Sequence, residues 1–144
     1  MIEHDTIELL RECDAGIQMG ITAIDDVKDH VRNGEFRGKL DNYQREYAEL
    51  QNEMQNLLHK YHDEGKDPNP VAKGMAKMKT SFTVAMNETD ETVADLITDG
   101  CNMGIKSLNK YLNQYKAADD VAKDFAKRLI NLQDRQLKET RQFL

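Results

Sequence analysis

Residues Cys13-Asp14-Ala15-Gly16-Ile17 return in similar form 88 positions later, as Cys101-Asn102-Met103-Gly104-Ile105. The flanking apolar positions match as well, in the pairs Leu9/Ile97, Ile24/Leu112 and Val27/Tyr115. Around the first copy, apolar and small residues recur in steps of three and four, which is the spacing of one helix face. These residues are Leu10, Cys13, Ile17, Gly20, Ile24, Val27 and Val31. The repeat therefore predicts two related amphipathic helices.

The segments that follow the two copies also correspond to each other. Phe36, Leu40 and Tyr43 match Phe125, Leu129 and Leu132 at an offset of 89 positions. Because the two offsets agree within one residue, the sequence predicts two related αα-hairpins that bury their apolar faces against each other. The expected fold class is all-α, a four-helix bundle.

Capping and breaking residues set the expected bounds of the helices. Asp5 with Glu8 resembles a capping box at the start of the first helix, and Asn33-Gly34 is expected to stop it. Pro68 and Pro70 break the chain after the second helix, Asn87 to Asp90 offer caps for the third, and Asp119 or Asp120 caps the fourth. The sequence therefore predicts one domain over residues 1–144, with helices A at 6–32, B at 35–64, a connecting helix at 70–87, C at 90–116 and D at 120–143.

Two apolar faces follow from these bounds. The residues of helix B that should face the core are Phe36, Leu40, Tyr43, Tyr47, Leu50, Met54, Leu57 and Tyr61. The residues of helix D that should face the core are Val121, Phe125, Leu129, Leu132, Gln136, Glu139 and Phe143. The connecting helix carries a stripe of Val71, Met75, Met78, Phe82 and Met86, which we expect to lie on the bundle. Hydrophobic pattern alone does not choose between a connection that runs the length of the bundle and one that turns back near its start.

Composition excludes several classes of function. The chain has 39% apolar and 32% charged residues and a net charge of -6, which disfavours binding to a nucleic-acid backbone or an anionic membrane. No run of 18 apolar residues and no export-signal pattern occurs, so we expect a cytoplasmic protein. Two cysteines inside apolar faces are expected to be reduced and to act as small hydrophobic groups.

The layout of two hairpins with a long connection resembles the ferritin-like fold. More narrowly, Phe36 to Leu50 (FRGKLDNYQREYAEL), and the breaker followed by a short helix, resemble a bacterial ferritin-like family of unknown function. This resemblance covers nearly the whole chain. It implies that the connection runs the length of the bundle, so that B and C are parallel and Cys13 and Cys101 lie more than about 10 Å apart.

Metal-binding members of that superfamily carry inward carboxylates on all four helices, with Glu-x-x-His on two. Here the corresponding inward positions hold Tyr47 and Leu50 on B, and Gln136 and Glu139 on D, so only Glu139 could be an anionic ligand. Four weaker candidates are Glu46 and Glu49, which stand with Glu53 outside the apolar face of B, and His59 and His62 near its end. A solvated surface is the simpler interpretation of these four residues.

Close packing is the expected role of the remaining unusual residues. Glycine inside a helix is destabilising by about 1 kcal/mol relative to alanine, so Gly16, Gly20 and Gly104 indicate places where another group approaches closely. The candidates for that group are Tyr43, Tyr47 and Tyr111.

We therefore expect a non-catalytic bundle that needs no cofactor and acts by protein binding or by assembly into a homo-oligomer. The alternative is an iron or di-metal oxidase, or a storage-type protein, with a reduced site built from Glu139, Glu46 and Glu49 or from His59 and His62. A thiol or soft-metal site at Cys13 and Cys101 is a third hypothesis, which the expected separation of the two cysteines disfavours.

Overall fold

The computed structural model describes residues 4–66 and 88–144, and within them the regular structure is entirely helical. The four α-helices are α1 (His4–Val27), α2 (Gly34–Lys60), α3 (Asp90–Gln114) and α4 (Asp120–Thr140). Short 3₁₀ turns follow α1 at Lys28–His30 and α4 at Arg141–Phe143. The chain thus forms the all-α bundle that the apolar repeats predict. The predicted connecting helix at 70–87, with its apolar stripe, lies outside the described residues.

Asn33, at the boundary between the first two helices, does not have the role that was predicted for it. Asn33 was expected to stop helix A, but α1 ends at Val27 and Asn33 instead caps α2, accepting a hydrogen bond from the Phe36 N–H at 3.0 Å. Asparagine suits this position because its side-chain oxygen satisfies one of the free N–H groups of the first turn. Val31, between the two helices, remains fully buried.

The capping role predicted for Asp5 is also wrong. The described part of α1 already begins at His4, and the Asp5 carboxylate accepts from the backbone N–H of Ala117 at 3.0 Å. Beside it, the Thr6 hydroxyl accepts from the N–H of Asp119 at 2.8 Å. These side chains serve the loop between α3 and α4 rather than their own helix.

The other helix ends agree more closely with the sequence. Thr89 caps α3 and Asp119 caps α4, each side chain accepting from the N–H group three residues later. Helix α2 ends at Lys60, four residues before the predicted bound, because His62 and then Gly65 adopt a left-handed backbone conformation.

Hydrogen bonds at the helix ends define the directions of the helices. The start of α1 contacts the end of α3 through Asp5 and Thr6, and the chain after α1 contacts Asp90, which accepts from the N–H groups of Arg32 and Asn33. Helix α3 is therefore antiparallel to α1. Helix α2 is antiparallel to α1 as well, because Asp63 beyond its end pairs with Arg11. It follows that α2 and α3 run in the same direction.

Lys66 and Glu88, the described residues on either side of positions 67–87, lie at different levels of the bundle. Lys66 pairs with Glu12, whereas the Glu88 carboxylate lies 2.9 Å from the imidazole of His30. Glu12 and His30 are 18 residues apart, which corresponds to roughly 27 Å at helical rise.

The core is built from all four helices, and α1 and α4 each contact the other three. The repeat positions Cys13, Cys101, Leu9 and Ile97 are buried, as predicted. One inward assignment is wrong, since Val121 is 53% exposed. Leu57 packs against the core while partly buried, and its neighbour Leu58 is fully buried. The predicted inward residues Phe125, Leu129, Leu132 and Gln136 of α4 are buried, and in the first turn Ala122 rather than Val121 faces the core. Within the described residues, no helix has both the length and the apolar content needed to cross a bilayer.

Candidate functional site

The middle of the bundle is occupied by a tyrosine ring that lies against a glycine. A Cβ atom placed on Gly20 would come within 2.6 Å of Cε1 and 2.7 Å of Cζ of Tyr47, so only glycine leaves room for the ring. This confirms the expectation that a tyrosine approaches one of the helix glycines. Gly20 thus admits a large polar aromatic group to the middle of the bundle.

Tyr47 is part of a neutral hydrogen-bonded pair. Its hydroxyl donates to Oε1 of Gln136 on α4 at 2.9 Å, and the two residues are 1% and 2% exposed. Burial raises the pKa of the Tyr47 hydroxyl above its usual value, so the phenol remains protonated at neutral pH. The hydroxyl of Thr140 donates to the Gln136 backbone carbonyl at 2.6 Å and completes this polar layer.

Gln133 extends the polar layer towards α3 and was missed by sequence reasoning. Its side chain is 6% exposed and its amide lies directly over Gly104, where any Cβ would overlap it. The Gln133 Oε1 atom has no hydrogen-bond partner among the described residues. Its spacing of three residues from Gln136 could have indicated that Gln133 also faces the core, but the sequence does not show which glycine it would contact.

Glu139, the strongest metal candidate from the sequence, is engaged with other side chains. Its carboxylate pairs with the Lys39 ammonium at 3.0 Å and faces the buried hydroxyl of Tyr43, which has no partner of standard hydrogen-bond geometry. The Tyr43 hydroxyl and the Lys39 charge together lower the pKa of Glu139, so this carboxylate is ionised. Burial, and then the neighbouring Glu139, raise the pKa of Tyr43.

The second group of candidates lines a surface groove between α2 and α4. Glu46 pairs with Arg135 at 2.8 Å and Glu53 with Arg128 at 2.6 Å, while Glu49 lies exposed between them. The groove has a volume of about 570 Å³, and Leu50 and Leu132 form its floor. As expected from their position off the apolar face, these glutamates lie on the surface, and two of them already have a cationic partner.

His59 and His62 lie at the far end of α2, and both are exposed. His59 is in the last turn of the helix, whereas His62 follows the helix in a left-handed conformation. Their i, i+3 relation on a continuous helix, assumed from the sequence, is therefore broken at Lys60.

The two cysteines lie in separate parts of the core. Because Thr6 contacts Asp119 and Arg32 contacts Asp90, Cys13 is level with about residue 110 of α3, roughly 13 Å along the bundle axis from Cys101. Burial raises the pKa of each thiol to about 12. Both are free, and neither has the thiolate character that nucleophilic or metal-binding cysteines need.

One buried carboxylate, Asp14, was not anticipated, since it follows Cys13 in the repeat and aligns with the exposed Asn102. Asp14 Oδ2 accepts from the Lys66 backbone N–H at 3.0 Å and from the Gln18 amide at 3.3 Å. The nearby Arg11 guanidinium bonds both oxygens of Asp63, at 3.1 and 2.7 Å. Together these contacts attach the loop after α2 to the side of α1.

The donor atoms do not fit a ferritin-like metal centre. Such a centre needs several inward carboxylates and imidazoles around one point, whereas the central layer around Tyr47 is formed by its phenol and by the amides of Gln133 and Gln136. Among residues 4–66 and 88–144, no three His, Cys, Asp or Glu side chains gather as a metal-binding group.

Fold and site together define an all-α helical bundle with a neutral polar layer in its core. Comparison with family models, curated proteins and solved structures finds no match for this chain.

Proposed function

We propose that this chain is a ferritin-like helical bundle without a metal centre, which acts by protein binding or assembly. The shared direction of α2 and α3 supports the ferritin-like part of the proposal, because that fold joins its two hairpins by a connection along the bundle.

The Tyr47–Gln136 pair is the main observation that supports a bundle without a metal centre. A phenol with a raised pKa and an amide are neutral and satisfy each other, whereas a divalent iron or manganese site requires anionic oxygens. The carboxylates nearest to this level, Glu46 and Glu139, are held by Arg135 and Lys39. Recruiting them to a metal would break two ion pairs.

The chemistry of the buried thiols argues against a catalytic role for them. A nucleophilic cysteine depends on its thiolate form, and a pKa of about 12 keeps Cys13 and Cys101 protonated at neutral pH. The proposal therefore assigns the function of the chain to its helix surfaces rather than to its thiols.

Metal titration tests the proposal. Ferrous iron, manganese or zinc should shift the melting temperature little, and elemental analysis of purified protein should find no stoichiometric metal. A metal that binds only the folded state, at 100 times its dissociation constant, would add about 2.7 kcal/mol to the free energy of unfolding.

Matched variants identify a site if one exists. A saturable shift that Glu139→Gln abolishes and His59→Gln/His62→Gln preserves would support a metal site built on Glu139, as in the oxidase or storage alternative. A shift lost only in His59→Gln/His62→Gln would place a metal at the end of α2. Either result would contradict the metal-free proposal.

A further inference from the structure

The groove between α2 and α4 contains two glutamate–arginine pairs, and in each pair the arginine lies over an aromatic ring. At one level Arg128 pairs with Glu53 and lies over the ring of Phe125, with 5.3 Å between its Cζ and the ring centroid. At the other level Arg135 pairs with Glu46 and lies over Tyr43 at 5.7 Å. In both cases the glutamate comes from α2 and the arginine from α4, and the two pairs are seven residues apart on each helix, whereas Phe125 belongs to α4 and Tyr43 to α2.

Each arginine is held in place yet open to solvent. An aromatic ring below and a carboxylate beside it restrict the guanidinium, while the Arg128 and Arg135 side chains remain 44% and 51% exposed. Fixed, exposed arginines over aromatic rings are typical of residues that contribute strongly to protein interfaces, because little conformational entropy is lost on binding.

We propose that this face binds a second copy of the chain, with a two-fold axis parallel to the helices. A rotation about that axis preserves the level of every residue and exchanges left and right. We call Glu46 and Glu53 on α2 the glutamate edge of the groove, and Arg128 and Arg135 on α4 its arginine edge. The rotation therefore places the glutamate edge of each copy against the arginine edge of the other. The two pairs of one copy then extend into four-residue networks, Glu-Arg-Glu-Arg, at two levels of the dimer.

A two-fold axis perpendicular to the helices would oppose each edge to itself. Glutamates would then face glutamates and arginines would face arginines, an arrangement that is repulsive. Charge complementarity thus selects one symmetric arrangement, and a symmetric dimer is the commonest form of soluble oligomer.

The face is large enough for such an interface. Helix α4 has 21 residues, so a strip about 31 Å long and two helices, or about 20 Å, wide covers roughly 600 Å² per copy. The total of roughly 1,200 Å² lies at the lower limit of specific, stable interfaces. We therefore expect a reversible dimer that weakens with salt.

The inference rests on the proposed function, since it supplies a partner for the assembly role, and a charge-swap experiment tests it. Sedimentation velocity should show the native chain as a dimer at about 0.05 M NaCl, dissociating at about 0.5 M because the ion pairs are screened. Arg128→Glu/Arg135→Glu makes both edges acidic, and Glu46→Arg/Glu53→Arg makes both basic. Each variant alone should self-associate at least about 100-fold more weakly, because like charges face each other.

Mixing the two variants should restore the dimer, because every acidic edge then faces a basic one. The matched control is Lys106→Glu/Lys110→Glu on the exposed side of α3, which changes the charge equally and should leave dimerisation intact. Circular dichroism melts verify that each variant is folded. If a charge-reversed variant does not fold, Arg128→Gln/Arg135→Gln removes the positive edge without repulsion and should also weaken association.

A native chain that is monomeric at low salt and about 100 μM, where weak complexes are populated, would overturn the inference. So would a dimer that both charge-reversed variants preserve, or a mixture that does not associate. None of these outcomes changes the metal titration, so the dimer can fail while the metal-free bundle stands.

Discussion

Replacing Gly20 by alanine should destabilise the bundle, although alanine is the better helix former. The added methyl group would lie 2.6 Å from Cε1 and 2.7 Å from Cζ of Tyr47. The ring is 1% exposed and bonded through its hydroxyl to Gln136, so it has no open space to move into without breaking that bond.

The magnitude follows from three opposing effects. Overpacking of a core costs about 1 to 3 kcal/mol, and weakening the Tyr47–Gln136 hydrogen bond adds about 1 kcal/mol. The gain in helix propensity from glycine to alanine is about 1 kcal/mol. We therefore expect the free energy of unfolding to fall by about 1 to 3 kcal/mol, equivalent to roughly 3 to 10 °C in melting temperature for a domain of this size.

Urea unfolding followed by circular dichroism measures the change, and two further variants isolate its cause. In the Tyr47→Leu background the methyl group no longer meets a ring, so Gly20→Ala should be neutral or stabilising there. Gly16→Ala is the matched control, because its methyl group would lie 3.4 Å from a flexible Leu129 methyl. An equal loss in both backgrounds, or a stabilising effect of Gly20→Ala in the native chain, would refute the packing argument.

Two other predictions concern the cysteines and the loop after α2. Cys13→Ala with Cys101→Ala should lower the free energy of unfolding by about 1 to 3 kcal/mol in sum without changing metal content, as elemental analysis would show; a bound metal lost in this variant would contradict the packing role. The Arg11 guanidinium lowers the pKa of Asp63, so this group stabilises the fold above its unfolded pKa of about 3.9, and the contribution disappears as pH falls below that value. Acid unfolding curves should therefore lose part of their pH dependence in Arg11→Met, whereas Arg45→Met, whose guanidinium bonds the Asn42 amide rather than a carboxylate, should leave it; identical curves for Arg11→Met and the native chain would disprove the coupling.

Much of the secondary structure was accessible from the sequence because it depends on local signals. The caps at Thr89 and Asp119 and the buried pairs Leu9/Ile97 and Cys13/Cys101 follow from residue type and helical spacing alone. The same local reasoning failed at Asn33, which is compatible both with the end of one helix and with the start of the next. It also placed Val121 on the inward face of α4, where Ala122 is the buried residue, because residue type alone ranks valine above alanine as a core residue.

The candidate site depended on contacts that no local pattern contains. The sequence showed that glycines interrupt helices at Gly20 and Gly104, and that a tyrosine was a candidate to approach them. Only the tertiary structure showed that Tyr47 faces Gly20, that Gln133 faces Gly104 and that Glu139 is paired with Lys39. The direction of α3 was open for the same reason, since both connections bury the same apolar faces. The contacts of Asp5, Thr6 and Asp90 showed the direction of α3, because hydrogen bonds between particular helix ends form in only one of the two directions. The burial of apolar faces is non-directional and is the same in both.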